Sequence, residues 1–344
     1  MSAEEPIGVV VNSNTNSFHL IDPLTQQLSP SQLKGYLGSY GGGLFDVVFS
    51  KDGRKAIISN FGDSILIFVD ISGGFSGQSE LIGYVPIPFF AEDMDVTPDG
   101  KYVLVTDGGF SPRCAVVDIE NYQMVFNHNL HGNSAQAVAI SPDGKVVIFA
   151  DYFGAAIHSY LLGEDGSITF AQTLYLGLGR PVNIAISPDG KTVVPVLSNR
   201  YSCPIIKLNS ATGGMAIKST VMFDSKGGQS CVFSKAGTKA YYMSSTQIRG
   251  PRINIINISA PGQGTYDSYI QMSIPRGTSQ LFGVDTIAID PSGNYLYVSN
   301  PTISGGVVEV TVIDLTTNTE VNQLHCNGIP AGINFTNIIA DCRK

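Results

Sequence analysis

The chain has 344 residues, of which 14% are charged and 43% hydrophobic, with 38 Gly, 18 Pro and a net charge of −8. Positive mean hydropathy excludes a disordered chain, and the scarcity of Glu, Lys and Arg excludes a coiled coil. The net acidity, with no basic stripe, argues against nucleic acid as a partner, and no run of 18 apolar residues predicts a membrane span.

The opening, MSAEEP, has neither a basic nor an apolar leader region. As written, the chain is expected to be cytoplasmic; a periplasmic or secreted location is the alternative if a leader was removed. Residues 7–22, IGVVVNSNTNSFHLID, read as strands lacking a partner strand before them. A phrase then recurs: an apolar strand, a Ser/Thr-Pro-Asp-Gly turn, and a second apolar strand. It reads FDVVFSKDGRKAIISN at 45–60, EDMDVTPDGKYVLVTD at 92–107, QAVAISPDGKVVIFAD at 136–151 and VNIAISPDGKTVVPVL at 182–197. Looser copies are QSCVFSKAGTKAYYMS at 229–244 and DTIAIDPSGNYLYVSN at 285–300.

The turn glycines Gly53, Gly100, Gly144, Gly190, Gly237 and Gly293 are 47, 44, 46, 47 and 56 residues apart. In each turn Pro presets φ, Asp bonds the backbone and Gly takes φ > 0. Two further strands follow each hairpin, such as 64–71 and 81–86. Four strands per repeat is the blade of a β-propeller. The longest spacing implies an insertion around 247–269. The final strand-like stretch, GIPAGINFT at 328–336, has no hairpin partner of its own. It is predicted to complete the blade begun by residues 7–22. The fold class is therefore all-β: one seven-bladed propeller over residues 1–344, closed by strands from both ends.

The phrases SPDGKTVV, TPDGKYVLVTD and DPSGNYLYVSN resemble the YVTN-type β-propeller repeat and are similar to the lactonase propeller superfamily typified by 6-phosphogluconolactonase. The resemblance covers nearly the whole chain. It implies the propeller fold and, within a functionally mixed group, a lactonase-like hydrolase among other roles.

The repeat also places a candidate site. Loops opposite the turns, with the entrances to the first strands, would form a funnel. Seven residues before the turn glycines stand Asp46, Asp93, Ala137, Asn183, Ser230 and Thr286; seven after stand Asn60, Asp107, Asp151, Leu197, Ser244 and Asn300. Glu92 and Asp285 lie one residue upstream of the first set. An acidic funnel is expected, with Asp93 and Asp107 as cross-strand neighbours able to serve as an acid–base pair or, with Asp46, to hold calcium or magnesium. The competing reading is that these residues cap turns.

His131, in FNHNLHGNSAQ, is the candidate general acid or base, with a solvated loop histidine as the alternative. Arg180 and Arg276 precede first strands and would pair with the carboxylates or grip an anionic substrate. Five cysteines lack metal or redox spacing and read as buried thiols, with Cys326–Cys342 the one conceivable pair. No G-x-S-x-G elbow, Walker A or H-E-x-x-H motif is present. The absence of Trp counts against WD-type repeats. The sequence thus points to a small-molecule site in the funnel, serving a hydrolase or an isomerase/lyase. An exposed apolar or aromatic rim would favour a non-catalytic scaffold with a protein partner.

Overall fold

The computed structural model describes residues 6–15, 17–30, 33–34, 43–109, 111–246, 250–273, 286–300, 309–326 and 330–336. Within these the regular structure is entirely β, and seven antiparallel sheets form the blades. Blade 2 comprises Leu44–Phe49, Lys55–Asn60, Ile65–Asp70 and Ser79–Pro86, with Leu33–Lys34 added in parallel at its outer edge. Blades 3, 4 and 5 begin at Ala91, Ala137 and Pro181, and blades 6 and 7 at Gly228 and Ile287.

Blade 1 closes the ring. Its innermost strand is the C-terminal Pro330–Phe335, which pairs antiparallel with Gly8–Asn12, aligning Gly8 with Phe335 and Val10 with Ile333. Ser17–Asp22 and Gln27–Leu28 follow outward. The predicted closure is therefore observed. It leaves no blade with a missing inner strand.

Each pair of adjacent sheets encloses its own apolar core, and seven such cores complete the circle. The last joins Tyr297 and Val312 of blade 7 to Val10, Ile333 and Phe335 of blade 1. Alternating strand residues supply opposite faces of each blade, so central strands read as nearly continuous apolar runs, buried on both sides.

The turn chemistry follows from the recurring phrase. At Ser141–Lys145 the Ser141 hydroxyl donates to Asp143 Oδ1 at 2.7 Å, the same oxygen accepts the Lys145 amide at 3.2 Å, and Gly144 has φ of 70°. Ser187/Asp189 and Thr97/Asp99 repeat the arrangement. The insertion expected at 247–269 is not one. Gly250–Ala260 and Gln263–Gln271 are long paired strands of blade 6, because RINIINIS alternates with the two-residue strand period. The additional length follows them, over residues that include 274–285, outside the described set.

Candidate functional site

Three of the first set of predicted site residues, Asp46, Asp93 and Asn183, clasp neighbouring blades together. The innermost strand of every blade has one edge unpaired within its own sheet, and its amides need acceptors. Asp46 Oδ2 accepts the Met94 amide of the next blade at 2.9 Å, and its Oδ1 accepts Val47 N–H at 2.7 Å. Asp93 Oδ2 accepts Val138 N–H at 2.7 Å. Asp95, two residues on, takes Ile140 N–H at 2.7 Å. Asn183 Oδ1 takes Cys231 N–H at a longer 3.4 Å. Carboxylates that appeared to converge on the axis reach sideways to the adjacent strand.

Three of the second set, Asn60, Asp107 and Asp151, cap loops. Asn60 bonds the Asp63 amide and carboxylate, each at 3.0 Å. Asp151 accepts amide hydrogens from Gly154, Asn133 and Ser134, and the His158 ring at 3.2 Å. Burial pushes its carboxyl up, but His158 and these amides outweigh that and hold it below the usual range. Asp107 Oδ1 accepts Gly109 N–H at 2.8 Å, while Oδ2 receives Arg113 Nε and Nη2, each at 2.7 Å.

Asp93 and Asp107 are consequently not a pair. A bulge between Val105 and Asp107 sets Asp107 opposite Ala91, and the two carboxylates have separate partners. No three Asp, Glu, His or Cys side chains converge as a metal site among the described residues. The proposed Asp46, Asp93 and Asp107 set does not fit calcium or magnesium, which need several oxygens on one point.

His131 is exposed and lies toward the perimeter. Its ring is 3.9 Å from that of Phe170, on the outer strand of blade 4, and its amide donates to Tyr160 Oη at 2.6 Å. Arg180 is 5.2 Å from the Tyr152 ring rather than on a carboxylate. Asn300 ends a strand, but its side chain, with Arg276 and Asp285, lies outside the described residues. The axial channel is about 360 Å³, with Val48, Ala139, Ala185, Val232 and Ala288 among its lining and Asp95, Asp290 and Lys235 as charged members. Cys114, Cys203 and Cys231 are buried thiols pushed far up by desolvation; Cys326 is buried too, and Cys342 lies outside the described residues.

A different cleft emerges on the face opposite the turns, between blades 2 and 3. It measures about 550 Å³ and is lined by Phe61, Phe89, Phe90, Gly108, Gly109 and the Asp107–Arg113 pair, with Ser64, Pro88 and Ser111 at its margins. Phe45, Phe61 and Phe90 stack in a ladder with 4.9 Å between successive centroids. Phe90 is 48% exposed. Arg113 lies 5.1 Å from the Phe89 ring centre, so its orientation is set by aromatic stacking and by a buried carboxylate.

Behind the cleft stands Glu92, buried, with Oε1 accepting Gln136 Nε2 of blade 4 and Oε2 without a hydrogen-bond partner. A Cβ on Gly108 would lie 2.6 Å from that oxygen and 2.5 Å from the Phe61 ring, so only glycine permits this packing. Burial, aided by the Asp107 charge and opposed by Gln136, pushes the Glu92 carboxyl up to about 8. The acid held neutral at pH 7 is thus Glu92. Sequence reasoning missed Phe61, Phe89, Phe90 and Arg113. The available signals were Phe-Phe before a first strand and Phe-Gly directly after a strand-ending Asn.

No protein-family model matches the chain, and no curated protein matches it. Solved structures do. A functionally unknown protein from Desulfotomaculum acetoxidans superposes with a TM-score of 0.80 at 17% identity, over 95% of this chain and 98% of that one. A candidate 6-phosphogluconolactonase from Bacteroides fragilis gives 0.75 at 15% identity, covering 97% and 99%. The periplasmic gluconolactonase of Pseudomonas aeruginosa gives 0.75 at 14%, covering 96% and 99%. The chain therefore shares the seven-bladed propeller fold of these proteins.

Proposed function

We propose that the protein binds a small cyclic anion in the cleft between blades 2 and 3, and that it is a lactonase-like hydrolase acting on a sugar-acid lactone. The observation that carries this reading is the Phe-walled cleft with a positioned arginine: apolar walls and a few fixed polar groups are the usual composition of a small-molecule site. Phe61 and Phe90 would cover a ring face. Arg113, fixed by Asp107, keeps N–H groups for an anionic substituent or for the oxygen that gains charge when water adds to a lactone carbonyl. In that reaction a water oxygen bonds to the carbonyl carbon, the ring C–O bond breaks, and the proton shed by the water ends on the ring oxygen, leaving a hydroxy acid. Neutral Glu92 keeps a further negative charge away from this anion.

Hydrolysis is favoured over isomerase or lyase chemistry because those need a strong, free base to take a proton from carbon, and both Asp107 oxygens are engaged, whereas a sugar-acid lactone already reacts with water spontaneously. The solved lactonase-type neighbours are consistent with this substrate class. A non-catalytic scaffold, the second reading, draws on a separate surface considered below.

The test is proton release from glucono-δ-lactone and its 6-phosphate, measured against the spontaneous rate. Turnover that is lost in Arg113→Met, with KM raised in Phe90→Ala, is expected. Binding without turnover would remove the hydrolase reading, and neither binding nor turnover would remove the ligand as well.

A further inference from the structure

On the same face, blades 4 and 5 carry a rim unrelated to the cleft. Tyr175 is 71% exposed, Leu178 75%, Tyr201 51% and Met222 64%. They are contiguous through the backbone. Asn199 donates to Leu178 O at 2.8 Å and accepts the Arg180 amide at 2.9 Å, and Phe223 N–H bonds Tyr201 O at 2.7 Å, setting Met222 beside Tyr201. Four large side chains this exposed and this close together make a surface feature of the kind often tied to function.

Two arginines border it. Arg180 contacts the Tyr152 ring and hydroxyl, and neither Arg180 nor Arg200 has a carboxylate partner among the described residues. Tyr and Met beside Arg is the composition of an interface core; at its edge exposed Asp224 is taken up by Arg252 Nη1 at 2.7 Å, and exposed Lys226 adds a further cation next to Arg200. The cationic sign is local, since the whole chain carries −8.

We propose that this rim docks an extended acidic segment of a partner protein, with aromatic or aliphatic side chains between its carboxylates. The carboxylates would meet Arg180 and Arg200, and the apolar side chains would cover Leu178 and Tyr201. A second copy of the chain suits the surface poorly, because a two-fold contact would set this arginine-bordered patch against itself. Two arginines are too few for a nucleic-acid footprint.

The probe is a labelled random copolymer of Glu and Tyr, followed by fluorescence anisotropy on the full chain at low and high salt, with a Lys–Tyr copolymer as comparison. The Glu–Tyr polymer is expected to bind an acidic protein saturably, and the Lys–Tyr polymer less. The double substitution Arg180→Ala/Arg200→Ala should weaken binding at least tenfold, and Leu178→Ser several-fold. Leu178 is too exposed for that change to unfold the blade. Phe90→Ala, in the cleft, should leave copolymer binding unchanged. The proposal is overturned if the rim variants bind the copolymer like wild type, if Phe90→Ala weakens binding equally, or if the copolymer fails to bind; a dimer that Leu178→Ser dissolves would then assign the rim to a second copy of the chain.

Discussion

Replacing Glu92 with Gln should make the protein more stable in alkali and nearly unchanged in acid. The Glu92 carboxyl ordinarily titrates near 4.5 and is pushed up to about 8 in the folded protein. Between those values the unfolded chain has lost this proton while the folded chain keeps it, so wild-type stability falls as pH rises through the window and levels off above about 8. The slope is about 1.4 kcal/mol per pH unit, which over the window amounts to about 5 kcal/mol at most. Gln keeps the carbonyl that accepts from Gln136 and has the shape of the neutral acid, so at pH 5 the two proteins should differ by no more than about 1 kcal/mol. At pH 8.5 the variant should be the more stable by several kcal/mol. Urea midpoints from pH 5 to 9 for both proteins, taken as a difference, remove the contribution of other titrating groups. Parallel curves would refute the argument, since they would mean that Glu92 ionises in the fold as it does in water.

Asp93→Ala removes the acceptor for the Val138 amide and leaves an inner-strand N–H without its partner; a loss of about 1–3 kcal/mol in chemical denaturation is expected, and an unchanged midpoint would return Asp93 to the list of candidate functional groups. Deleting everything after Asn327 removes the closing strand with buried Ala331, Ile333 and Phe335. With about 1.5–3 kcal/mol for each of the two large apolar side chains, Tm should fall by at least about 4–8 °C for a chain of this length. A truncated chain that melts with wild type would mean the ring does not need this strand.

The blades were legible because period-two apolar runs and a Pro-Asp-Gly turn repeat along one chain, and because unpaired strands at the two ends have only each other to join. The site was not legible in the same way. Counting from each glycine located Asp46, Asp93, Asp107 and Asp151 along their strands, but not their hydrogen-bond partners. A bulge near Asp107 and the open edges of the inner strands decided that, and both depend on how sheets pack beside one another. Glu92 was noticed only as a neighbour of Asp93, since its neutrality comes from burial under Phe61 and Gly108. The Phe ladder joins residues 45, 61 and 90 of two blades, which no local pattern connects. Gly, Pro and Arg near residue 250 have the composition of a loop, although the residues that follow alternate as a strand.

The cleft between blades 2 and 3 is tested most directly by a crystal structure of the protein soaked with 6-phosphogluconate, the hydroxy acid that hydrolysis of the phosphorylated lactone would leave. Density for the anion against Phe61 and Phe90, with an oxygen within hydrogen-bond reach of Arg113, is the predicted result. Density on the propeller axis beside Asp95, with the cleft holding only solvent at saturating ligand, would contradict it.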